Sequence, residues 1–385
     1  MLLYPVYALL FADSGLSVGQ ISSLFVLWSL TGVLLEVPSG AWADAVSRRL
    51  LLWIGPLLGA AGFALWVLFP SYWAFAAGFV LWGARGALGS GALEALVYEE
   101  LDRAGAADRY ARLMGRAHAV GQVAVMTAMG LAGPVFAVGG YPAVGAASVL
   151  ACLLCAATAT RFSEHRRPTG DGDSWAATLR AGLADARRDR SVRGALLLVP
   201  AVTAVWGALD EYTPLLVRET GVPEANIPHL LVLIWAGVTA GSLSAGPAER
   251  LGRRGFAALL ALSALALAVG GLSGAPAGIA LVALAFGGFQ LATVLADVRL
   301  QQRIEGTGRA TLTSVASLGT EVVTIAVYGG YGALGSTFPH GVVFALCAVP
   351  YLMVAMTMAM TMSTPARGRD GPGAGEAGEG RATDE

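Results

Sequence analysis

The chain has 385 residues, of which 56% are hydrophobic and only 13% are charged, with a formal net charge of −1. A soluble domain of this size would have about a quarter of its residues charged, so most of this chain is predicted to lie in a lipid bilayer. It contains no lysine, which excludes P-loop phosphate binding and Schiff-base catalysis, since both need a lysine side chain.

Twelve apolar segments are predicted to be membrane helices, because about 20 apolar residues cross the roughly 30 Å hydrocarbon layer. The first six spans are 1–12, 17–38, 50–69, 72–93, 116–138 and 141–160. The second six are 194–217, 227–245, 255–273, 277–297, 311–335 and 341–362. The predicted fold is an all-α membrane protein of two six-helix bundles. Its predicted parts are an N-terminal bundle 1–160, a linker 161–193, a C-terminal bundle 194–362 and a disordered tail 363–385.

The first span is too short to cross the bilayer, since twelve residues of helix rise only about 18 Å. Aligning FADSGLS, which starts at Phe11, with VRETGVP, which starts at Val217, places Gly15 opposite Gly221. Under that alignment, the position that corresponds to the start of the seventh span would lie about a dozen residues before Met1. We therefore expect helix 1 to be truncated and the true start codon to lie upstream.

The arginines indicate the orientation of the chain. Of the 25 basic residues, 23 fall in segments that would share one side of the membrane, and the exceptions are Arg85 and Arg218. The positive-inside rule makes that side cytoplasmic and places both termini there. Basic residues that are all arginine, together with 51 glycines, are typical of a GC-rich genome, and we expect a bacterial plasma membrane. In the linker, Trp175, Leu179 and Leu183 recur every four residues, which predicts an amphipathic helix on the cytoplasmic face.

A charged string occurs twice, after the second span and after the eighth. The first copy is GAWADAVSRR, with Gly40, Asp44, Arg48 and Arg49. The second copy is AGPAERLGRR, with Glu249, Gly252, Arg253 and Arg254. A duplicated membrane hairpin predicts two related halves around a shared interface, an arrangement that many transporters use.

This string resembles the loop signature G-x-x-x-D-x-x-G-R-[KR] of the major facilitator superfamily, with Ser47 in place of the second glycine. The segments LLEVPSG (34–40) and RATLTSVASLG (309–319) resemble a drug-efflux-like branch of that family. The fourth span contains GARGALGSGA, which resembles the antiporter signature R-x-x-Q-G-x-G-A and matches at Arg85, with Leu88 at the glutamine position. The resemblance covers residues 1–362.

The resemblance implies that the repeated string is a conformational latch. Asp44 is expected to contact the start of the eleventh helix, near Arg309 to Thr311, because the exposed N–H groups and dipole of a helix start favour a carboxylate. Arg48 and Arg49 would orient it, and the second copy would act more weakly against the fifth helix. The alternative is a tight turn whose arginines bind lipid headgroups.

A few polar side chains inside the spans are candidates for a substrate or proton pathway. Arg85 lies at a depth where a guanidinium costs at least a few kcal/mol, so it is expected to face the interior and to have a partner. The candidate carboxylates are Asp210, Glu211 and Glu321, and the mid-helix amides Gln122 and Gln290 could bind solute.

The sequence therefore predicts a secondary transporter that exports a small amphipathic compound by alternating access, coupled to protons. The alternatives are a facilitator or importer of a polar metabolite, and a membrane sensor or scaffold without transport. No nucleophile–base pair or metal-ligand spacing occurs, so we expect no enzyme activity, metal or cofactor. The expected partners are a small molecule, protons and lipid, without nucleic acid, and the protein is expected to be a monomer.

Overall fold

A computed structural model of the chain describes residues 1–45, 47–89, 92–164, 190–303 and 309–360. Within these ranges every regular element is helical, as the composition predicts. The predicted linker helix (Trp175 to Leu183) and the tail 363–385 lie outside the described residues.

The helices follow one another along the chain with short connections, except between α6 and α7. They are α1 Tyr7–Asp13, α2 Val18–Ala45, α3 Arg48–Leu68, α4 Tyr72–Gly89, α5 Ala92–Arg103, α6 Tyr110–Ala159, α7 Arg190–Asp210, α8 Thr213–Glu219, α9 Ile227–Leu243, α10 Ala245–Ala248, α11 Arg253–Leu272, α12 Gly278–Arg303, α13 Arg309–Gly335, α14 His340–Cys347 and α15 Val349–Met360. Short 3-10 turns precede α1, α6 and α9.

Each predicted span overlaps at least one of these helices. The fifth and sixth spans together form α6, which bends where Gly139 and Gly140 leave helical geometry and Gly140 has a φ of +57°. By length and composition, seven described helices could cross a membrane: 18–35, 48–68, 107–159, 224–243, 253–272, 278–302 and 340–360. The all-α membrane fold is therefore confirmed.

The internal repeat is visible in the backbone. Gly15 and Gly221, which the sequence alignment pairs, both have positive φ angles, 85° and 78°, as glycine readily adopts just after a helix. The acids two residues earlier also correspond. Asp13 accepts a hydrogen bond from the Tyr141 hydroxyl, and Glu219 accepts from the backbone N–H groups of His340 and Gly341 at 2.8 and 3.0 Å. In each half, the first helix thus ends against the start of the sixth span.

The two halves meet along α2 and α13 and along α6 and α9. We call the end of the molecule that carries residues 47–48, 103–110 and 248–253 the arginine-rich end. The end that carries residues 13–18, 219–227 and 335–340 is the opposite end. Close packing of α6 against the start of α9 occurs at the opposite end, where a Cβ on Gly133 would lie 2.6 Å from the Ala225 carbonyl oxygen.

Candidate functional site

A cavity of about 510 Å³ lies between the two halves. Its walls are the middle parts of α2 and α4 from the N-terminal half and of α7 and α13 from the C-terminal half. Its polar and aromatic lining residues are Trp28, Ser29, Trp82, Thr203, Glu211, Thr320, Glu321, Thr324 and Tyr328. Smaller residues, including Gly86 and Gly207, complete the walls and leave the space open.

Two carboxylates at the end of α7 are bound by tyrosines from the other half. Glu211 is only 7% exposed and accepts a hydrogen bond from the Tyr7 hydroxyl. Asp210 accepts from the Tyr4 hydroxyl at 3.4 Å. The hydrogen-bond ladder of α7 ends here because Pro214 at the start of α8 has no N–H to continue it. That break lets both acids face the N-terminal half.

The remaining pathway candidates divide into two groups. Glu321 lies on α13 and, with Glu211, lines the cavity from the C-terminal side. The side chain of Gln290 instead donates to Ser242 Oγ at 2.9 Å, which joins α12 to α9 within one half. Gln122 is exposed on α6 and is not among the lining residues. Within the described ranges, no group of three or more His, Cys, Asp or Glu side chains could hold a metal ion.

Arg85 faces away from the cavity and towards α3. A Cβ on Gly59 would lie 2.9 Å from its Cδ, and its Nη1 lies 3.3 Å from the Met1 sulfur. It lines a separate space of about 400 Å³ with residues of α3 and with Cys155. In the described part of the chain, no carboxylate forms an ion pair with Arg85. The structure thus brings Glu211 and Glu321 to one cavity and leaves Arg85 beside it.

An aromatic wall is a feature that the sequence analysis missed. The rings of Trp28 and Trp82 are stacked, with centroids 5.3 Å apart and an interplanar angle of 29°. Phe79 continues the stack beyond Trp82, with centroids 6.0 Å apart. The position of these tryptophans along their spans could have indicated the wall. Tryptophans that anchor a helix at the membrane interface lie near the helix ends, whereas Trp28 and Trp82 lie in the middle of their spans.

The cavity is closed at the opposite end. A hydrogen bond joins Ser22 Oγ and Tyr212 Oη at 2.7 Å, and Tyr212 stacks on Tyr331 with centroids 3.6 Å apart. Phe25 packs on Tyr328 across the interface, with centroids 5.3 Å apart. These contacts form a continuous layer between the cavity and the loops at that end.

An ion pair lies beyond this layer. Arg218 Nη1 is 2.6 Å from Asp13 Oδ1 of the other half, and Arg218 Nη2 is 3.2 Å from Glu224 Oε1. The sequence did contain a signal for this pair, because Arg218 is the one arginine that falls on the far side of the predicted membrane.

The halves separate towards the arginine-rich end. Residues 119–125 of α6 and 242–244 at the end of α9 are exposed, whereas the same two helices are in contact at Gly133. The space between the halves is therefore wider at the arginine-rich end than at the opposite end.

The predicted latch residues of the first copy bind within their own half. Arg48 forms an ion pair with Glu99 of α5, and its backbone N–H donates to Glu164 Oε1 at 2.7 Å. Arg49 donates to the Thr160 carbonyl oxygen. The structure does not describe the side chain of Asp44 or those of its expected partners at 309–311. The surroundings of Gly40 are likewise not described.

The second copy lies on the surface of the arginine-rich end. Glu249, Gly252, Arg253 and Arg254 are all exposed. The loop is bound by Arg299 of α12, whose Nη2 donates to the Leu251 carbonyl oxygen at 2.9 Å. The same guanidinium lies 4.2 Å above the Phe256 ring, a cation–π contact.

Comparison with known proteins gave a family and a fold. The model of the family described as Major Facilitator Superfamily matches residues 1–327. The crystal structure of the nucleoside transporter NupG is similar with a TM-score of 0.71 and 13% identity, over 94% of this chain and 95% of that one. An auto-inhibited POT family peptide transporter is similar with a TM-score of 0.66 and 14% identity, over 97% and 96%. No curated protein matches the sequence.

Proposed function

Because the chain belongs to the major facilitator superfamily, we propose that it is a proton-coupled secondary transporter that exports a small amphipathic compound. The observation that carries the proposal is the cavity between the halves, closed at the opposite end and lined by Glu211 and Glu321. A solute site at the interface of two repeats, with access from one side at a time, is what alternating access requires.

The distribution of arginine supports a cytoplasmic arginine-rich end. In that orientation the described conformation is inward-facing, and the Ser22–Tyr212 layer separates the cavity from the outside. The protein would then act as a monomer in a bacterial plasma membrane, with both termini in the cytoplasm. The Asp44 latch would close the cytoplasmic side when the outer layer opens.

Proton coupling is assigned to the cavity carboxylates. A carboxylate that faces the solvent of one compartment in each conformation can take up a proton on one side and release it on the other. Glu321 and Glu211 line the cavity, and Asp210 adjoins it through Tyr4. Arg85 would act on this group through the α3–α4 contact, without touching the solute.

A facilitator or importer of a polar metabolite is the second candidate. Hydroxyl groups of Ser29, Thr203, Thr320 and Thr324 on the cavity wall favour a polar solute, and the similar structures include a nucleoside transporter and a peptide transporter. A sensor or scaffold without transport is the third candidate.

The test uses the purified protein in proteoliposomes with an imposed pH gradient. Proton flux is recorded with a lumenal pH dye after addition of ethidium, tetraphenylphosphonium, uridine or dialanine. We expect flux that depends on one of these solutes, and its loss in Glu321→Gln and Arg85→Ala. Asp297→Asn is the control, because Asp297 is an exposed carboxylate on α12 that does not line the cavity.

The other candidates predict different results. Solute uptake that is independent of the pH gradient would support the facilitator, and no uptake of any solute would support the sensor or scaffold.

A further inference from the structure

A groove lies on the surface of the C-terminal half, outside the cavity between the halves. It runs between α11 and α15 from the arginine-rich end and has a volume of about 620 Å³. One of its lining residues is Arg254, and the others are apolar: Ala257, Ala258, Ala261, Leu352, Ala355, Met356 and Ala359. Helix α11 and the segment 340–360, which contains α15, are long and apolar enough to cross a membrane. The groove therefore opens towards lipid.

The groove results from the side chains and is not imposed by the fold alone. In the repeat, Arg254 corresponds to Arg49, and the same offset places Leu52, Trp53 and Pro56 opposite the three lining alanines of α11. Larger side chains thus stand in the N-terminal half where alanines leave space in the C-terminal half.

The mouth of the groove is positively charged. Arg254 is the second residue of α11, and among the residues that the structure describes no carboxylate forms an ion pair with it. The adjoining segment 249–254 has three arginines against one glutamate. Helix α11 begins after Gly252, which has no side chain to cap the first N–H groups, so the helix dipole adds positive potential at the same place.

We propose that this groove binds an anionic phospholipid, with the phosphate at Arg254 and one acyl chain along the alanines of α11 and α15. The apolar walls suit a hydrocarbon chain, and the arginine lies at the end of the span, where lipid headgroups lie. A zwitterionic headgroup would bring a further cation to a segment with a surplus of positive charge, so the charge favours an anionic headgroup. The site lies outside the solute cavity, and the proposal does not depend on which compound is transported.

Two other occupants suit the groove less well. The segment 363–385 follows α15 at the same end, but it contains no Leu, Ile, Val, Met or aromatic side chain that could fill an apolar groove. A second copy related by a twofold axis along the membrane normal would place its own Arg254 at the same depth. The two guanidinium groups would then repel each other across the interface.

The test measures lipid binding to the purified chain in a non-ionic detergent by native mass spectrometry. Dioleoyl phosphatidylglycerol, dioleoyl phosphatidylcholine and inorganic phosphate are added separately and then in competition. We expect phosphatidylglycerol to bind tighter than phosphatidylcholine by about fivefold or more, which corresponds to about 1 kcal/mol for one arginine at a membrane surface. Inorganic phosphate should not displace it.

Two variants and a control locate the site. Arg254→Gln should abolish most of the preference for phosphatidylglycerol. Arg250→Gln is the matched control and should preserve it, because Arg250 lies in the same segment but does not line the groove. Ala258→Trp introduces the residue type of Trp53 and should weaken binding of both lipids, since the indole would occupy the groove.

The comparison of the two lipids uses the wild-type protein, so it holds even if the Ala258 variant fails to fold. Equal affinity for the two lipids would overturn the proposal, and so would equal losses in Arg254→Gln and Arg250→Gln. Displacement of the lipid by inorganic phosphate would replace the lipid site with a site for a free anion. A mass of two copies without bound lipid would assign the groove to a second copy. The proteoliposome assay measures transport separately, so none of these results decides the transport function.

Discussion

The contact that closes the opposite end depends on the absence of a side chain at Gly332. A Cβ at this position would lie 2.8 Å from the Ser22 Cβ, 2.9 Å from the Ser22 Oγ and 3.4 Å from the Gly19 Cα. Ordinary contact between carbon atoms begins near 3.5 Å, so Gly332→Ala requires α2 and α13 to separate by roughly 0.7 Å at this end. We therefore expect this substitution to oppose closure of the opposite end.

The expected magnitude follows from the cost of overpacking. Inserting a methyl group into a well-packed contact costs about 1–3 kcal/mol, and the cost disappears once the two helices move apart. The population that is open at this end should therefore rise by roughly 5- to 150-fold, at about 1.4 kcal/mol per factor of ten. Gly329→Ala is the matched control, because it lies on the same helix and a Cβ there would meet nothing within 4 Å. Both substitutions change helix propensity equally.

The assay follows the accessibility of one engineered cysteine. Thr213 is 3% exposed, donates to the Asp210 carbonyl oxygen and directly follows Tyr212 of the closing layer, so opening of that layer should expose it. Thr213→Cys is placed in a protein whose native Cys152, Cys155 and Cys347 are replaced by alanine, and a membrane-impermeant maleimide is added from the outside. Labelling should be faster with Gly332→Ala than with Gly329→Ala. Equal rates in the two variants would refute the reasoning.

Three further results are expected. Asp13→Asn in the same labelling assay should increase the labelling rate by no more than about fivefold. The ion pair that it breaks is partly exposed, and such pairs contribute roughly 0.2–1 kcal/mol. A larger effect than that of Gly332→Ala would contradict this expectation. Tyr7→Phe should lower the melting temperature in detergent, since it removes the hydrogen bond from the Tyr7 hydroxyl to the buried Glu211 at a cost of about 1–3 kcal/mol. It should have a much smaller effect in a Glu211→Gln background. Gly59→Ala should reduce proton flux as Arg85→Ala does while preserving the melting temperature, because its methyl group would displace only the flexible end of Arg85; wild-type flux would separate Arg85 from coupling.

Hydropathy was sufficient to predict an all-helical membrane fold, and the repeat predicted which turns correspond. Gly15 and Gly221 are aligned by a seven-residue string, and the same left-handed turn at both positions follows from the residue type. What hydropathy could not provide is where a span is interrupted. The break after Asp210 coincides with Pro214 at the start of the next helix, and a window average over about 20 residues does not detect it.

The site was harder to predict, because depth along a helix does not give the direction of a side chain. Glu321 and Arg85 were both assigned to mid-membrane, yet one lines the cavity and the other packs against Gly59 on α3. The tyrosines that bind Asp210 and Glu211 come from about 200 residues away in the chain, and a single sequence contains no local pattern that pairs them.

The two copies of the charged string are anchored in the same way but not by the same chemistry. In each half the loop between the second and third spans is bound by the helical region that ends the fourth span, through Arg48 and Glu99 in one half and Arg299 and the Leu251 carbonyl in the other. Because each anchor stays within its own half, each loop would move with that half in the proposed rocking motion. Both anchors use an arginine, which donates to a carbonyl oxygen at the second loop and pairs with a carboxylate at the first loop. A contact from that loop to α13 would then transmit the motion of one entire half, which is what a latch between rigid bodies requires.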